Sequence, residues 1–502
     1  MQIRSSIKKI VFFTLCIMIV NNSFSQKVGV FDGQTDVGKI LYPGSGTYNA
    51  STGDYVLTGS GTNIWFTHDD FHFIWKKMNG NFILQARGHL IGKGVEQHRK
   101  FGWMVRSGLD STSAMVSATL HGDGLTSLQY RKEPKTDVEE TKFTISGPDV
   151  IQLERRGSQF IMSVAHFGEP FVTQEIAVVN LGDDVYVGLF ICSHNKDVTE
   201  KVSFDNVRIT IPAKDDLVPY KDYLGSHIET MDVITGKRMI QYTSTKSLQA
   251  PNWTKDGKNL VYNSEGLIYR FNLHSHSPVL INTGKVDKNN NDHVLSFDGK
   301  MIGLSAASPD GKYNSVVYTV PLSGGIPKQI TPTGPSYLHG WSQDGKWLAF
   351  TGQRNGEFDI YKIPSKGGDE IRLTTAPGLD DGSEYSPDGK YIYFNSVRSG
   401  LMQLWRMKPD GTDQEQLTND EYNNWFAHVS PDGKWIVCLT FSKEIKPDDH
   451  PFYKHVYLRM MPVSGGPLKV IAYLYGGQGS INTPSWSPDS KKIAFISNSY
   501  IQ

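Results

Sequence analysis

A short turn motif recurs six times between residues 252 and 491 of this 502-residue chain, and it constrains the fold more than any other feature. Each copy has a polar or aromatic approach, a turn close to Ser-Pro-Asp-Gly-Lys, and an apolar strand after it. The turns are residues 254–258, 296–300, 342–346, 386–390, 430–434 and 487–491, and their aspartates lie 42, 46, 44, 44 and 57 residues apart. A period of about 40 to 45 residues is typical of a four-stranded blade. The sequence therefore predicts a six-bladed β-propeller.

The Asp-Gly turns have a structural explanation rather than a catalytic one. The aspartate of such a turn bonds its own backbone, and the glycine adopts the positive φ that other residues avoid. A seventh copy, residues 308–312, follows the second copy after only 12 residues, counted between their aspartates. We assign this copy to an inner hairpin of the same blade.

The two ends of the repeat region are predicted to share one blade. Residues 228–233 and 239–242 form a hairpin pattern ahead of the first turn, as outer strands would. Residues 484–486 and 492–496 supply two inner strands at the last turn. Pairing the two ends closes the ring and removes its exposed edges.

Residues 1–25 have the pattern of a secretory signal. Arg4, Lys8 and Lys9 precede an apolar run at residues 10–20, and a polar stretch ends at Ser25. An eleven-residue run is too short to span a bilayer. We therefore expect a soluble exported protein, periplasmic or secreted, without a membrane span.

Charge and cysteine content set two further limits. The precursor has 51 basic and 51 acidic residues, so loss of three N-terminal basic residues leaves the mature chain acidic. That balance argues against nucleic acid or an anionic membrane as a partner. Cys16 leaves with the signal, while Cys192 and Cys438 lie in apolar strands of different domains and are expected to be buried free thiols.

Residues 27–212 carry hairpin patterns without the longer repeat. Residues 71–75 and 82–86 flank Met-Asn-Gly-Asn, which is a strong hairpin signal. Strands without a helical period throughout this region predict a β-sandwich. The charged, turn-rich residues 213–225 are predicted to be a linker, and residues 226–502 the propeller.

The closing part of the first domain, residues 187–193 and 204–207, resembles the concanavalin-like jelly-roll family. Many members of that family bind or cleave sugars, so the resemblance implies a sugar site in the sandwich. The residues that alternate on predicted strands and suit a sugar are Trp103, Arg106, His121, Gln129 and Arg131. The alternative is that Trp103 belongs to the core and Arg106 to an inner-face ion pair. A catalytic sandwich is not expected, because paired glutamates at a glycosidase spacing are missing from the sequence.

Residues 385–394 and 428–437 resemble TolB-like propeller repeats, and the resemblance covers about 275 residues. TolB-like repeats occur in periplasmic interaction proteins, in the propellers of prolyl oligopeptidase-type peptidases and in oligogalacturonate lyase-like enzymes. The fold alone does not fix the function. A peptidase is not expected, because the sequence has no Gly-x-Ser-x-Gly elbow.

Polar residues gather just ahead of the turns, where the innermost strands begin around one mouth of the central channel. The candidates are Asp292 and His293 before the second turn, His339 before the third, Asp381 and Glu384 before the fourth, Trp425 and His428 before the fifth, and Asn482 before the sixth. His293 and His339 lie five residues before their turn aspartates, whereas His428 and Glu384 lie four before theirs. Strand alternation then directs the two pairs to different faces.

Two interpretations of this cluster remain open. In the first, His293, His339 and His428, helped by Asp381 and Glu384, hold Mn²⁺ or Zn²⁺. A metal beside a carboxylate can acidify a proton next to a uronate carboxyl, and the resemblance to oligogalacturonate lyase-like propellers implies a comparable histidine arrangement. In the second, these side chains bond neighbouring blades and line a wet channel.

The sequence thus predicts an all-β protein with a jelly-roll β-sandwich followed by a six-bladed propeller. The expected function is binding or scaffolding without catalysis, with a protein or glycan partner at the propeller mouth and a sugar at the sandwich. The alternative is a metal-dependent carbohydrate-active enzyme of the oligogalacturonate lyase type, with Mn or Zn at the channel.

Overall fold

A computed structural model describes residues 27–176 and 178–501, and its regular elements are β-strands. The predicted signal, residues 1–25, lies outside the described residues. Within the described residues, no helix has the length and apolar character needed to cross a membrane.

The first half of the chain forms two seven-stranded antiparallel sheets and one small hairpin. Its strands are β1 (Gly33–Val37), β2 (Ser45–Asn49), β3 (Asp54–Gly61), β4 (Ile64–Trp65), β5 (His68–Asp69), β6 (Phe71–Met78), β7 (Phe82–Ile91), β8 (Lys100–Arg106), β9 (Met115–His121), β10 (Thr126–Arg131), β11 (Glu139–Lys142), β12 (Val150–Arg156), β13 (Gln159–Ala165), β14 (Val172–Ile176), β15 (Val185–Cys192) and β16 (Asn195–Thr210). One sheet has the order β1-β6-β15-β8-β9-β10-β11, and the other β14-β13-β12-β7-β16-β3-β2.

Both sheets contribute side chains to one hydrophobic core. Trp103 and Leu189 come from the first sheet, and Leu84 and Phe160 from the second. Alternation along each strand directs one face of each sheet into this core. We call this unit the two-sheet domain.

The second half of the chain forms six radial sheets, as the repeat predicts. Its strands are β17 (Gly225–Asp232) and β18 (Arg238–Ser244); in blade 1, β19 (Gln249–Trp253), β20 (Asn259–Ser264), β21 (Leu267–Asn272) and β22 (Ser277–Leu280); in blade 2, β23 (Asn289–Leu295), β24 (Met301–Ala306), β25 (Val316–Pro321) and β26 (Lys328–Gln329); in blade 3, β27 (Ser336–Trp341), β28 (Trp347–Arg354), β29 (Glu357–Pro364) and β30 (Ile371–Arg372); in blade 4, β31 (Asp380–Tyr385), β32 (Ile392–Ser399), β33 (Leu401–Met407) and β34 (Glu415–Gln416); in blade 5, β35 (Asn423–Val429), β36 (Trp435–Phe441), β37 (Lys454–Pro462) and β38 (Lys469–Gly476); and finally β39 (Lys492–Ser499). The prediction of six blades is confirmed.

Blade 6 joins the two ends of the propeller. Its order is β18-β17-β39, and an isolated bridge between Trp486 and Ile493 adds the innermost position. β17 and β39 pair over eight residues, from Gly225 with Ser499 to Asp232 with Lys492. The predicted closure by the chain's own ends is therefore confirmed.

The repeated turns are built as their chemistry predicts. In blade 4, the Ser386 hydroxyl donates to Asp388 Oδ1 at 2.7 Å, the Lys390 N–H donates to the same oxygen at 3.1 Å, and Gly389 has a φ of 70°. The seventh copy, with Asp310, joins β24 and β25 of blade 2, so it lies inside one blade as predicted.

A buried cluster of charges connects the two-sheet domain to blade 6. Glu229 of β17 accepts hydrogen bonds from Arg208 of β16 and Arg238 of β18, each at 2.6 Å, and from Ser497 at 2.6 Å. Burial alone would raise the pKa of Glu229, but the two guanidinium groups hold it well below its ordinary range. Because a buried carboxylate needs such partners, this cluster favours a fixed contact between the two halves.

Closure of the ring gives a testable prediction. Ile228 of β17 is fully buried in a core that it shares with Ile496 of β39 and with side chains of blade 1. Ile234, in the turn after β17, is 72% exposed. Ile228→Ala should lower the free energy of unfolding by about 2–5 kcal/mol, because it removes apolar contacts at the closing pair of strands. Ile234→Ala should change it by less than about 0.5 kcal/mol. Urea unfolding measures both, and equal losses would contradict the importance of this closure.

Candidate functional site

A cavity of about 1000 Å³ lies at the mouth of the propeller channel, where the inner strands begin. We call it the mouth cavity. Amide side chains line it, among them Asn290, Asn291 and Asn482. Aromatic side chains line it as well, including Tyr337 of β27 and Tyr220 of the segment that connects the two halves. A cavity of this size is typical of a site for a small ligand.

β-bulges decide which side chains face the mouth cavity. In blade 3, Leu338 and Gly340 pair with consecutive residues of β28, so His339 is the extra residue of a bulge. Asp292 lies in the corresponding irregular stretch of blade 2, and Phe426 in that of blade 5. All three line the mouth cavity. A bulge breaks strand alternation and re-aims the side chain of the extra residue.

His339 and Asp381 form an ion pair in the wall of the mouth cavity. His339 Nε2 lies 3.1 Å from Asp381 Oδ1, which also accepts a hydrogen bond from the Thr351 hydroxyl at 2.6 Å and from the Gly382 N–H at 2.8 Å. Burial opposes charge on the imidazole, but Asp381 and Asp292 together raise the pKa of His339 to about 9. The imidazole is therefore positively charged at neutral pH, and its partner Asp381 is ionised.

His450 approaches the same carboxylate from the loop between β36 and β37. Its Nε2 lies 4.0 Å from Asp381 Oδ2, and its ring packs edge-on against Trp425 at 4.5 Å between centroids. Burial lowers the pKa of His450. The ring is therefore neutral at neutral pH and adds no charge to the wall.

Asp292 is the second carboxylate of the mouth cavity, and its surroundings differ from those of Asp381. Its side chain is buried, with 6% of the residue exposed, and burial raises its pKa to about 6. The nearby charge of His339 opposes this shift, and that of Asp381 adds to it. Within the described residues, the Asp292 carboxylate forms no hydrogen bond.

Half of the predicted channel residues line the mouth cavity, and half do not. Asp292, His339, Asp381 and Asn482 line it, and Asn482 donates to Gln478 Oε1 at 2.9 Å. Trp425 is fully buried behind the wall, against His450.

The remaining candidates bond neighbouring blades. His428 Nδ1 lies 2.6 Å from Glu384, and its Nε2 lies 2.6 Å from the Ile481 carbonyl, so both ring nitrogens are engaged. His293 Nε2 lies 3.3 Å from the Val261 carbonyl, and burial lowers the pKa of His293 to about 4.

The predicted metal centre does not assemble. Among the residues that the structure describes, no group of three or more His, Cys, Asp or Glu side chains is arranged to hold a metal ion. Glu384 and the Ile481 carbonyl engage both ring nitrogens of His428, and the Val261 carbonyl engages Nε2 of His293. The residues therefore do not fit the Mn²⁺ or Zn²⁺ site, and the lyase-type alternative loses the arrangement on which it depends.

The candidate sugar residues of the first domain are inaccessible. Trp103 is fully buried, with its ring 6.2 Å from that of Phe31. Arg106 is also fully buried and pairs with Asp69 at 2.8 Å, as does Arg131 at 2.7 Å. These contacts match the alternative of a core tryptophan and an inner ion pair, and a ligand cannot reach either side chain.

Sequence reasoning missed His450 and Tyr337, which both line the mouth cavity. His450 lies in the loop at residues 442–453, and that loop accounts for the 57-residue spacing between the last two turn aspartates. The extra length was a usable signal for a functional insertion. Tyr337 precedes a bulge, and nothing in its local sequence predicts its orientation.

Comparisons with known proteins identify the propeller. The TolB beta propeller domain family matches residues 314–447. An uncharacterized protein of Agrobacterium fabrum is 42% identical over 272 residues, which are 54% of this chain and 92% of that protein. A solved structure of an Agrobacterium tumefaciens protein described as a TolB is 40% identical, with a TM-score of 0.53, and covers 56% of this chain and 100% of its own. The TolB structure from Acinetobacter baumannii is 20% identical, with a TM-score of 0.40, and covers 51% of this chain and 64% of its own.

The pair of His339 and Asp381 gives a second prediction. In Asp381→Asn, the pKa of His339 should fall from about 9 to below its ordinary 6.5, because burial is then opposed only by Asp292 and by the backbone hydrogen bond to Asn482. A raised imidazole pKa stabilises the fold fully below pH 6.5, and this contribution is lost as pH rises through 9. The variant should therefore lose that pH dependence of stability.

NMR titration of the His339 Cε1 proton, assigned with His339→Asn, measures the pKa directly. Asp448→Asn is the control, because Asp448 also lines the mouth cavity but is exposed and pairs with Lys446. An unchanged His339 pKa in Asp381→Asn would contradict the assignment of this pair.

Proposed function

The chain belongs to the family of TolB β-propeller proteins, and we propose that it is an exported, periplasmic or secreted protein that binds a short glycan in the mouth cavity. The observation that carries this proposal is the composition of that cavity. Amide side chains such as Asn290, Asn291 and Asn482 meet aromatic rings such as Tyr337 around about 1000 Å³.

Amide groups suit the hydroxyl groups of a sugar. Each amide both donates and accepts hydrogen bonds, as a hydroxyl does, so neighbouring amides can bind neighbouring hydroxyls. The Asn291 Nδ2 and Asn289 Oδ1 atoms are buried without a hydrogen-bond partner in the described residues. Such atoms favour a ligand that supplies the missing partners.

Aromatic rings complete the match, because the apolar face of a sugar ring packs on them while its hydroxyls bond the amides. Tyr337 lies on an inner strand and Tyr220 on the connecting segment, and both line the mouth cavity. The concave shape favours a ligand of a few sugar units over the flat surface of a folded protein.

The charged pair is consistent with a binding role for this wall. His339 and Asp381 neutralise each other within the wall, and Thr351 holds the carboxylate in place. This arrangement supports a rigid binding wall. For the two-sheet domain we propose a concanavalin-like jelly roll that supports the propeller through Glu229 and its two arginine partners, with no sugar at Trp103 or Arg106.

A glycan array followed by calorimetry tests the function. The mature protein should bind at least one class of short oligosaccharide, and Tyr337→Ala should weaken that binding by about tenfold, because it removes the stacking surface. Tyr48→Ala is the matched control, since Tyr48 is a 41% exposed ring on the two-sheet domain, and its affinity should equal that of the wild type.

Two results would overturn the proposal. One is an array without any glycan bound by the mature protein. The other is binding that Tyr48→Ala weakens and Tyr337→Ala leaves unchanged.

A further inference from the structure

The two carboxylates of the mouth cavity, Asp381 and Asp292, differ in their hydrogen-bond partners. Asp381 has an imidazolium, a hydroxyl and a backbone N–H as partners. Asp292 is more than nine-tenths buried, lines the same cavity and has no hydrogen-bond partner in the described residues. Burial of an unpaired carboxylate is costly unless a counter-charge arrives. The imidazolium of His339 is near, but it pairs with Asp381, so a cationic ligand can supply the direct partner that Asp292 lacks.

We propose that the ligand is an amino sugar with a free amine, whose ammonium group pairs with Asp292. This inference rests on the proposed glycan function and specifies its ligand class. An ammonium group donates up to three hydrogen bonds, so it can bond the carboxylate and neighbouring amide oxygens together.

The charges around Asp292 support a cationic ligand. The inner wall has two carboxylates, one imidazolium at His339 and a neutral His450, which leaves one negative charge in excess when Asp292 is ionised. Two lysines, Lys246 and Lys288, lie on the rim of the mouth cavity. Lys246 pairs with Glu265 at 2.5 Å, and the exposed Lys288 forms no ion pair with Asp292.

Neighbouring groups favour an amine at this position. Asn289 Oδ1, on the same strand as Asp292, has no hydrogen-bond partner in the described residues, so it can accept from another donor of the ligand. Tyr337 and Tyr220 both lie within range of the Asp292 charge, which contributes to the raised pKa of each phenol, after burial. Ammonium groups bind favourably over such rings.

Calorimetry with two matched probes tests the inference. The probes are β-1,4-linked glucosamine oligosaccharides of two to four units and their fully N-acetylated counterparts, at a pH where the amines are protonated. The full mature protein should bind the glucosamine series at least about tenfold more tightly, because charge-assisted hydrogen bonds are stronger than neutral ones. Asp292→Asn, which keeps the shape, should remove that preference. Asp197→Asn, which changes an exposed carboxylate of the two-sheet domain outside the mouth cavity, should retain it.

The outcomes separate this inference from the proposed function. Equal or tighter binding of the acetylated series by the wild type would overturn the amine and leave the glycan function standing, and this comparison needs no variant. Failure of both series, with no glycan on the array bound, would overturn both. If instead a short peptide with a free N-terminus, but not its acetylated form, binds in an Asp292-dependent way and the sugars do not, the ligand is a peptide and the amino-sugar proposal is wrong.

Discussion

The structure depends first on the pairing of β17 with β39. These strands come from opposite ends of the propeller, and their eight paired residues close six blades into a ring. The ring holds residues that are far apart in the sequence at fixed positions around one mouth. Asp292, His339 and Asp381 come from three different blades, yet they influence one another's charge. Closure also fixes Glu229 between Arg208 and Arg238, so the same strand anchors the two-sheet domain.

Within this frame, the mouth cavity is shaped by local irregularity of the inner strands. A regular strand would direct alternate side chains to the channel and to the blade interfaces. The bulges change that rule in blades 3 and 5, where they bring His339 and Phe426 to the cavity while His428 remains between blades. The resulting wall combines a satisfied ion pair with an unsatisfied carboxylate. The ion pair makes the wall rigid, and the unsatisfied carboxylate can be stabilised by a ligand that donates hydrogen bonds to it.

The repeat predicted the blades, the turns and the ring closure, because each depends on local turn chemistry and on strand pattern. Which of the candidate residues line the mouth cavity, and which lie between blades, could not be predicted in the same way. His293 and His339 stand at the same distance from their turns, but His339 is the extra residue of its bulge and His293 pairs regularly with Leu304. The sequence also could not decide whether Arg106 binds a sugar or forms a buried ion pair, since its partner Asp69 is distant in the sequence. Long-range contacts decided each of these cases.

Hydrogen exchange measured by mass spectrometry, with and without the tightest-binding glycan from the array, tests the central claim most directly. The bound glycan should slow exchange in peptides that cover β23, β27 and residues 478–482, because these segments form the wall of the mouth cavity. Exchange in the two-sheet domain should stay unchanged. Protection confined to the two-sheet domain, with none at the mouth cavity, would contradict the account.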